Sequence, residues 1–255
     1  MVLTNNSSEF QEKLLSLLEK NSKNTRDFID KMRNKDDTTE TQEETQEETQ
    51  EEIPEQPEID DSVFTDVNGN EYRISISGEL VEKSYNGFSQ NDNILTQDNI
   101  KTAVLGKSVT SIGDRAFYMS RTGENFESIT ISSTVTTIGD SAFAYTEGMK
   151  QFIVSSKSNN FVAIDDVLYK KNNDNTLELI QYPLAKVNTE LTIPNNVTKL
   201  LNRCFAYINK VSNLTSVVMP DSVTSVEKFI FRASKIETIR LSNNLENISD
   251  YMFYR

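Results

Sequence analysis

The sequence predicts a solenoid of short parallel strands, and two observations carry that prediction. The first is an apolar pattern that recurs five times between residues 103 and 253. Counting from Leu105, Ile131, Ile193, Met219 and Leu241 as origins, apolar side chains fall at positions −2, 0, +4, +7, +11 and +12 in every copy. Ala103, Leu105, Val109, Ile112, Ala116 and Phe117 form the first copy, and Ile239, Leu241, Leu245, Ile248, Met252 and Phe253 the last. The closing phenylalanines are 26 residues apart (Phe117 to Phe143, Phe205 to Phe231) and then 22 (Phe231 to Phe253), the period of a stacked repeat. The second observation is the alternation at −2 and 0, which marks a strand with one buried face. Six apolar side chains cannot offset the ordering of a unit of this length, so each copy needs its neighbours.

Taken from the N-terminus, residues 1–35 read as an amphipathic helical anchor. Ser8 and Gln11 have capping-box spacing, Phe10, Leu14, Leu17 and Leu18 share one face, and Phe28, Ile29 and Met32 continue the stripe after a polar break. The stripe is too short and too polar to span a bilayer, and no signal peptide is read ahead of it. Such a helix is expected to pair with copies of itself as a coiled coil or to dock on an assembly partner. Residues 36–61 follow as an acidic linker. They hold thirteen acidic residues and no basic one, which equals the whole formal net charge of −13. Three Thr-Gln-Glu-Glu copies and two prolines leave nothing to build a core, and self-repulsion extends the segment into a tether.

The repeat domain spans 62–255. Ser62 to Val67 and Glu71 to Ser77 flank Asn68-Gly69, a two-residue turn signal, so 62–99 reads as an N-terminal hairpin cap. Positions −2 and 0 of each copy then form a strand, and +4 to +12 are expected to return over the core as a tight turn of helix or 3₁₀ coil. Between Phe143 and Phe205 the pattern is interrupted for 62 residues. There Gln151 to Val154 repeats the strand, and an inserted hairpin is read at about 155–185, with Asp166 to Lys171 and Thr176 to Tyr182 joined through Asn172 to Asn175. Met252, Phe253 and Tyr254 have no polar cap beyond them, which implies a partner, a self-contact or a chain cut short.

The copies Gly106–Phe117 and Ser132–Phe143 read V-x-x-I-G-x-x-A-F, Pro194 and Pro220 supply a proline after the strand, and Ile164-Asp165-Asp166-Val167-Leu168-Tyr169 precedes Tyr182-Pro183. These residues resemble the BspA-like leucine-rich repeat family, also called the Treponema pallidum class, over about 100–255. The resemblance implies a leucine-rich repeat solenoid, a hairpin at the Asp-Asp-Val-Leu-Tyr insert, and a non-catalytic surface module used in adhesion or protein recognition. It places the protein at a cell surface, with a virion or the cytoplasm as alternatives.

Composition excludes most chemistry. There is no histidine and a single cysteine, so ordinary zinc sites, catalytic triads and most general-base schemes are absent. Cys204 occupies the +11 position held elsewhere by Ala116 and Ala142, which makes it a small core residue. Asp165 and Asp166 are adjacent on an extended hairpin, so their side chains are expected to point apart and share neither proton nor metal. Asp66-Val67-Asn68-Gly69-Asn70 has a misplaced glycine for a calcium loop and reads as a turn. No nucleotide-binding glycine motif and no basic stripe for nucleic acid occurs, because residues 62–255 carry nineteen basic against twenty-one acidic side chains. No catalytic residue, cofactor or metal is assigned.

What remains is the outward face of the strands: Val104, Thr130, Thr192, Val218 and Arg240, with Thr102, Ser128, Glu190, Ser216 and Thr238 one pair-step earlier. Stacked strand faces are rigid and extended, the usual binding surface of repeat proteins. The tyrosines that follow the phenylalanines (Tyr118, Tyr145, Tyr207, Tyr254) fall on the opposite side and are expected to finish the packing. The expected function is a tethered head that recognises a protein or glycan, and the alternative is a structural component of a virion or other assembly held through the N-terminal helix.

Overall fold

The computed structural model describes residues 58–118, 124–208, 212–249 and 251–254. The helical anchor expected over 1–35 and the acidic linker up to residue 57 lie outside the described residues. From residue 58 the chain winds as a β-solenoid. The cap holds β1 (Ser62–Asp66), β2 (Glu71–Ile74), β3 (Gly78–Leu80), β4 (Phe88–Gln90) and β5 (Asn93–Leu95). The first two turns contribute β6 (Ile100–Val104) with β7 (Val109–Ile112), and β8 (Ser128–Ile131) with β9 (Thr137–Ile138). An interrupted third turn contains β10 (Gln151–Val154), β11 (Phe161–Ile164), β12 (Val167–Lys171) and β13 (Leu177–Gln181). The last three turns add β14 (Glu190–Thr192) with β15 (Val197–Leu200), β16 (Ser216–Val218) with β17 (Ser225–Val226), and β18 (Thr238–Arg240).

The first strands of successive turns stack in parallel, as the alternation predicts, but in two sheets. One is ordered β10-β8-β6-β1-β2 and the other β14-β16-β18. The Asn68-Gly69 hairpin forms as expected, and β1 lies antiparallel to β6, which caps the first sheet. The described end of the acidic segment is seated on this part of the domain. Glu58 accepts hydrogen bonds from the Ser133 amide (3.1 Å) and the Ser155 hydroxyl (3.3 Å), and Lys107 donates its amide to Ile59 (2.8 Å) and its ammonium to Asp60. Gly106 is required at this crossing, because a Cβ there would sit 2.2 Å from the Asp60 carbonyl oxygen.

The return path differs from the sequence expectation. A second strand rather than helix forms on the return, over positions +4 to +7 in β7 and β15 and over +6 and +7 in β9 and β17, giving sheets β3-β7-β9 and β11-β12-β13-β15-β17, and the one described 3₁₀ turn, Glu82–Ser84, belongs to the cap. A β-bulge is the reason. Gly78 pairs with Val109 but Glu79 with Ser111, and Leu177 pairs with Val197 but Glu178 with Lys199. The extra residue breaks the alternation, so residues three apart both face inward and imitate a helical spacing.

Each turn closes at a tight corner. Position +10 is left-handed in all five regular turns, with φ of 54° at Arg115, 53° at Ser141, 61° at Arg203, 60° at Phe229 and 61° at Tyr251. None is glycine, so each corner costs about 1 kcal/mol. In return, the +12 amide reaches the +11 carbonyl of the next turn: Phe117 to Ala142 (2.8 Å), Phe205 to Ile230 (3.1 Å) and Phe231 to Met252 (2.9 Å). The phenylalanine rings stack behind these bonds, Phe117 on Phe143 at 5.5 Å and Phe205 on Phe231 at 5.3 Å.

Most repeat positions are buried; Ile138 and Leu191 are half-buried, and the other exceptions lie in the last turn, where Ile248 and Phe253 are exposed and Ile239, Leu241 and Leu245 half-buried. The core is divided at the insertion. Leu168 packs into the cluster of the cap and early turns, while its neighbours Val167 and Tyr169 pack into the cluster of the later ones. The excursion also leaves an opening of about 500 Å³ between residues 136–143 and the outward side of β12, β13 and β15.

Candidate recognition face

Parallel register assembles the outward positions into rows. Thr102, Ser128 and Gln151 align across β6, β8 and β10, as do Val104, Thr130 and Ile153. The antiparallel cap strand extends both rows, Thr65 opposite Thr102 and Val63 opposite Val104. In the later turns Glu190, Ser216 and Thr238 form one row, and Thr192, Val218 and Arg240 the other. Of the ten residues selected from sequence, Glu190, Thr192, Thr238 and Arg240 are exposed and the other six half-buried. Gln151, Ile153, Thr65 and Val63 belong to the same face and were not selected. The first two follow directly from the Gln151–Val154 strand signal, but the cap strand runs antiparallel and carries no repeat signature.

The rows do not run through. β10 and β14 are not paired, and the turn between β11 and β12 stands in the gap. Asp165 and Asp166 are both left-handed, φ 47° and 64°, so they form a two-residue turn rather than extended hairpin. The Phe152 amide donates to the Asp166 carbonyl (3.1 Å), Lys186 forms an ion pair with the Asp166 carboxylate, and the Ala185 amide donates to Met149 (2.7 Å). Asp166 is therefore committed to holding the wedge, and Asp165 is exposed beside it. The face is two rigid patches, Thr102, Val104, Ser128 and Thr130 in one and the six later residues in the other, with an acidic turn between them.

Charge on the second patch is sparse. Arg240 lies 3.8 Å from Asp221, a solvent-exposed pair of little energetic weight. Asp221 is held below the usual carboxylate range chiefly by the backbone amide of Asn243, then by its side chain, with Arg240 contributing less.

Tyr145 is buried and Tyr118 and Tyr207 half-buried, as expected of side chains that finish the packing, whereas Tyr254 is exposed. Tyr145 packs edge-to-face on Tyr118 (4.6 Å) and on Tyr207 (4.2 Å), so the corners of turns two and four touch across the insertion. Arg115 lies over Tyr118 and Arg232 over Tyr207 and Tyr254. Burial pushes the Tyr118 hydroxyl up to about 12.

Nothing at the remaining candidates supports chemistry. Asp66 is saturated by the Asn68 and Asn70 amides, the Asn70 side chain and the Tyr72 hydroxyl. Among the described residues no three His, Cys, Asp or Glu side chains come together. Cys204 is fully buried, and burial raises its thiol well above the ordinary value. Thiol-specific labelling of the native protein is expected to stay below a tenth of the rate measured in denaturant, and rapid native labelling would disprove the core assignment.

Residues 49–176 and 184–255 match the BspA-type leucine-rich repeat region in six copies. A leucine-rich cell surface protein from Faecalibacterium prausnitzii is 27% identical, with a TM-score of 0.53 over 70% of this chain and 45% of that one. A leucine-rich repeat protein from Eubacterium ventriosum is 22% identical, with a TM-score of 0.43 over 70% of this chain and 61% of that one. The pneumococcal vaccine antigen PcpA is 17% identical, with a TM-score of 0.36 over 74% of this chain and 62% of that one. The chain thus spans about half to three fifths of the length of these proteins. No curated relative matches.

Proposed function

The chain belongs to the BspA-type leucine-rich repeat family, and from that premise we propose that it is a non-enzymatic recognition module that binds a partner protein through the two-patch strand face. The observation that carries this reading is the register. Parallel pairing fixes Thr102, Ser128, Thr130, Thr192 and Arg240 in straight rows on a rigid support, so binding would cost little ordering. The similarity to a cell surface protein of Faecalibacterium prausnitzii supports a role in adhesion at a cell surface. A role as an assembly component rests on residues 1–35 and has no observation of its own among the described residues.

The test begins with partners selected from a displayed protein library on the full chain. Thr130→Glu, Thr192→Glu and Arg240→Glu together are expected to weaken the selected partners at least tenfold. Changes at the exposed Thr192 and Arg240 alter stability by only about 0.5 kcal/mol each, and an unchanged thermal midpoint checks the half-buried Thr130, so the loss then reports on contact rather than folding. Unchanged affinity would remove the strand face from consideration, and selection of glycan-bearing clones that lose binding on deglycosylation would replace the protein partner by a saccharide.

A further inference from the structure

The column of second strands lacks one rung. β9 ends the sheet β3-β7-β9, and β11, which follows it in the winding, instead opens the sheet β11-β12-β13-β15-β17. The opening between them, about 500 Å³, falls in the range of about 300–1,000 Å³ that small-ligand sites occupy. One wall is the outer edge of β9. The floor is the outward side of the next sheet, with Lys170, Glu178, Ile180, Lys199 and Glu227, and at one end the Asn202 side-chain amide donates to Asp140 at 2.8 Å.

Two properties decide what fits. The first is the backbone edge. The Gly139 amide donates to Ile112 at 2.8 Å, on the β7 side, and strand amides alternate, so the N–H and C=O of Ile138 are directed to the opposite edge, into the opening. Exposed strand edges are normally guarded by a charge or a proline, whereas this one carries Thr137 and Ile138. The second is the floor, whose charges cancel: Lys170 pairs with Glu178 at 3.3 Å and Lys199 with Glu227 at 2.5 Å. Asp140 leaves one carboxylate over at the end of the opening, so an occupant needs a main-chain donor and acceptor at strand spacing and no negative charge. A neutral saccharide satisfies the second condition and not the first.

We propose that this opening takes an extended, uncharged peptide segment of a partner protein, which adds to β9 as a further strand. Main-chain bonds to Ile138 supply affinity, and the neutral floor selects against charged segments. No residue of the strand face takes part, so the triple variant above leaves this site intact and the two readings fail separately.

The probe is an acetylated, amidated peptide copying residues 129–136, which is uncharged and rich in β-branched side chains. Titrated against the full chain, it is expected to bind saturably and to slow hydrogen exchange of the Ile138 amide at least tenfold, with Gly139 unchanged. Ile138→Pro removes that one N–H and is expected to weaken the peptide at least tenfold. Glu178→Lys leaves the backbone alone and is expected to shift preference toward a peptide in which two threonines are replaced by glutamate. Absence of saturable binding up to millimolar peptide overturns the proposal. So does binding that leaves Ile138 exchange unaltered, or binding of maltohexaose that the peptide does not displace.

Discussion

Phe117→Ala is expected to destabilise the repeat domain by about 4 kcal/mol, the largest effect of any single truncation considered for this chain. The ring is fully buried and touches three others, Tyr85 at 5.2 Å, Phe126 at 5.1 Å and Phe143 at 5.5 Å. Aromatic pairs of this kind add about 0.5–1.5 kcal/mol each beyond the area that they bury. Position matters as much as size. Tyr85 belongs to the cap, and its hydroxyl donates to the Ala116 carbonyl at 2.9 Å, so Phe117 couples the cap to turns one and two. In a one-dimensional array the loss of such a coupling removes a neighbour interface as well as a side chain. The expected readout is a fall in thermal midpoint of about 10 °C, and Phe117→Leu should recover roughly half of it. Phe253→Ala is the control: the ring is half-exposed and, among the described residues, stacks only on Phe231, at 5.7 Å, and should cost under about 1.5 kcal/mol. Equal losses at the two positions would mean that the aromatic column does not carry stability in the way described.

Much of this architecture was legible in the sequence because stacking demands the same apolar positions in every turn. Ile129 and Ile131, Val217 and Met219, and the buried Cys204 follow from position alone. The same logic explains the failures. Val109 and Ile112 are three apart, which suggests a helix, yet a bulge turns both inward on a strand, and a bulge has no composition of its own here. The left-handed corners were invisible for a related reason: arginine, serine, phenylalanine and tyrosine occupy them, where glycine would have announced the conformation. Of the third turn only the strand Gln151 to Val154 was legible, because its second half is displaced through β11 and β12 before Tyr182 resumes the corner, donating its amide to Cys204 at 3.0 Å.

The strand face was legible residue by residue but not as an assembly. Outward positions follow from alternation, so Thr130 and Thr192 could be named. Whether they share a sheet depends on where the insertion goes, and its tip enters the face itself through Asp165 and Asp166. That fact divides one predicted surface into two and brings an exposed carboxylate between them. The missing rung is likewise a consequence of long-range packing, since Asp140 and Asn202 are 62 residues apart when they close its end.

Asp66→Ala is expected to open the N-terminal cap, at a cost of about 3 kcal/mol, and its acid dependence gives the sharper test. The carboxylate is buried and accepts four hydrogen bonds, each at 2.9 Å, from the Asn68 and Asn70 amides, the Asn70 side chain and the buried Tyr72 hydroxyl. Burial by itself would raise this carboxyl, but the bonds from Asn70 and Tyr72 outweigh it and hold the group below the ordinary aspartate value. The unfolded chain therefore takes up the proton first. Stability from Asp66 is fully present above the unfolded value of about 3.9 and is lost as pH falls through the lower folded one. Alanine removes all four bonds and leaves the Tyr72 hydroxyl buried without its acceptor, whereas Asp66→Asn keeps the shape and one acceptor oxygen for the Asn68 and Asn70 amides, sets an NH2 group against the Asn70 side chain and the Tyr72 hydroxyl, and removes the charge. Hydrogen exchange of the β1 and β2 amides should rise in both variants, with the β16 and β18 ladder unaffected, because the cap meets the array only at its first turns. As pH falls below about 4 the parent should lose cap protection progressively, and the asparagine variant should start lower and change less. If the asparagine variant follows the parent's acid profile, the charge on Asp66 is not what holds the cap closed, and the turn's stability must come from the main-chain geometry of Asn68 and Gly69 instead.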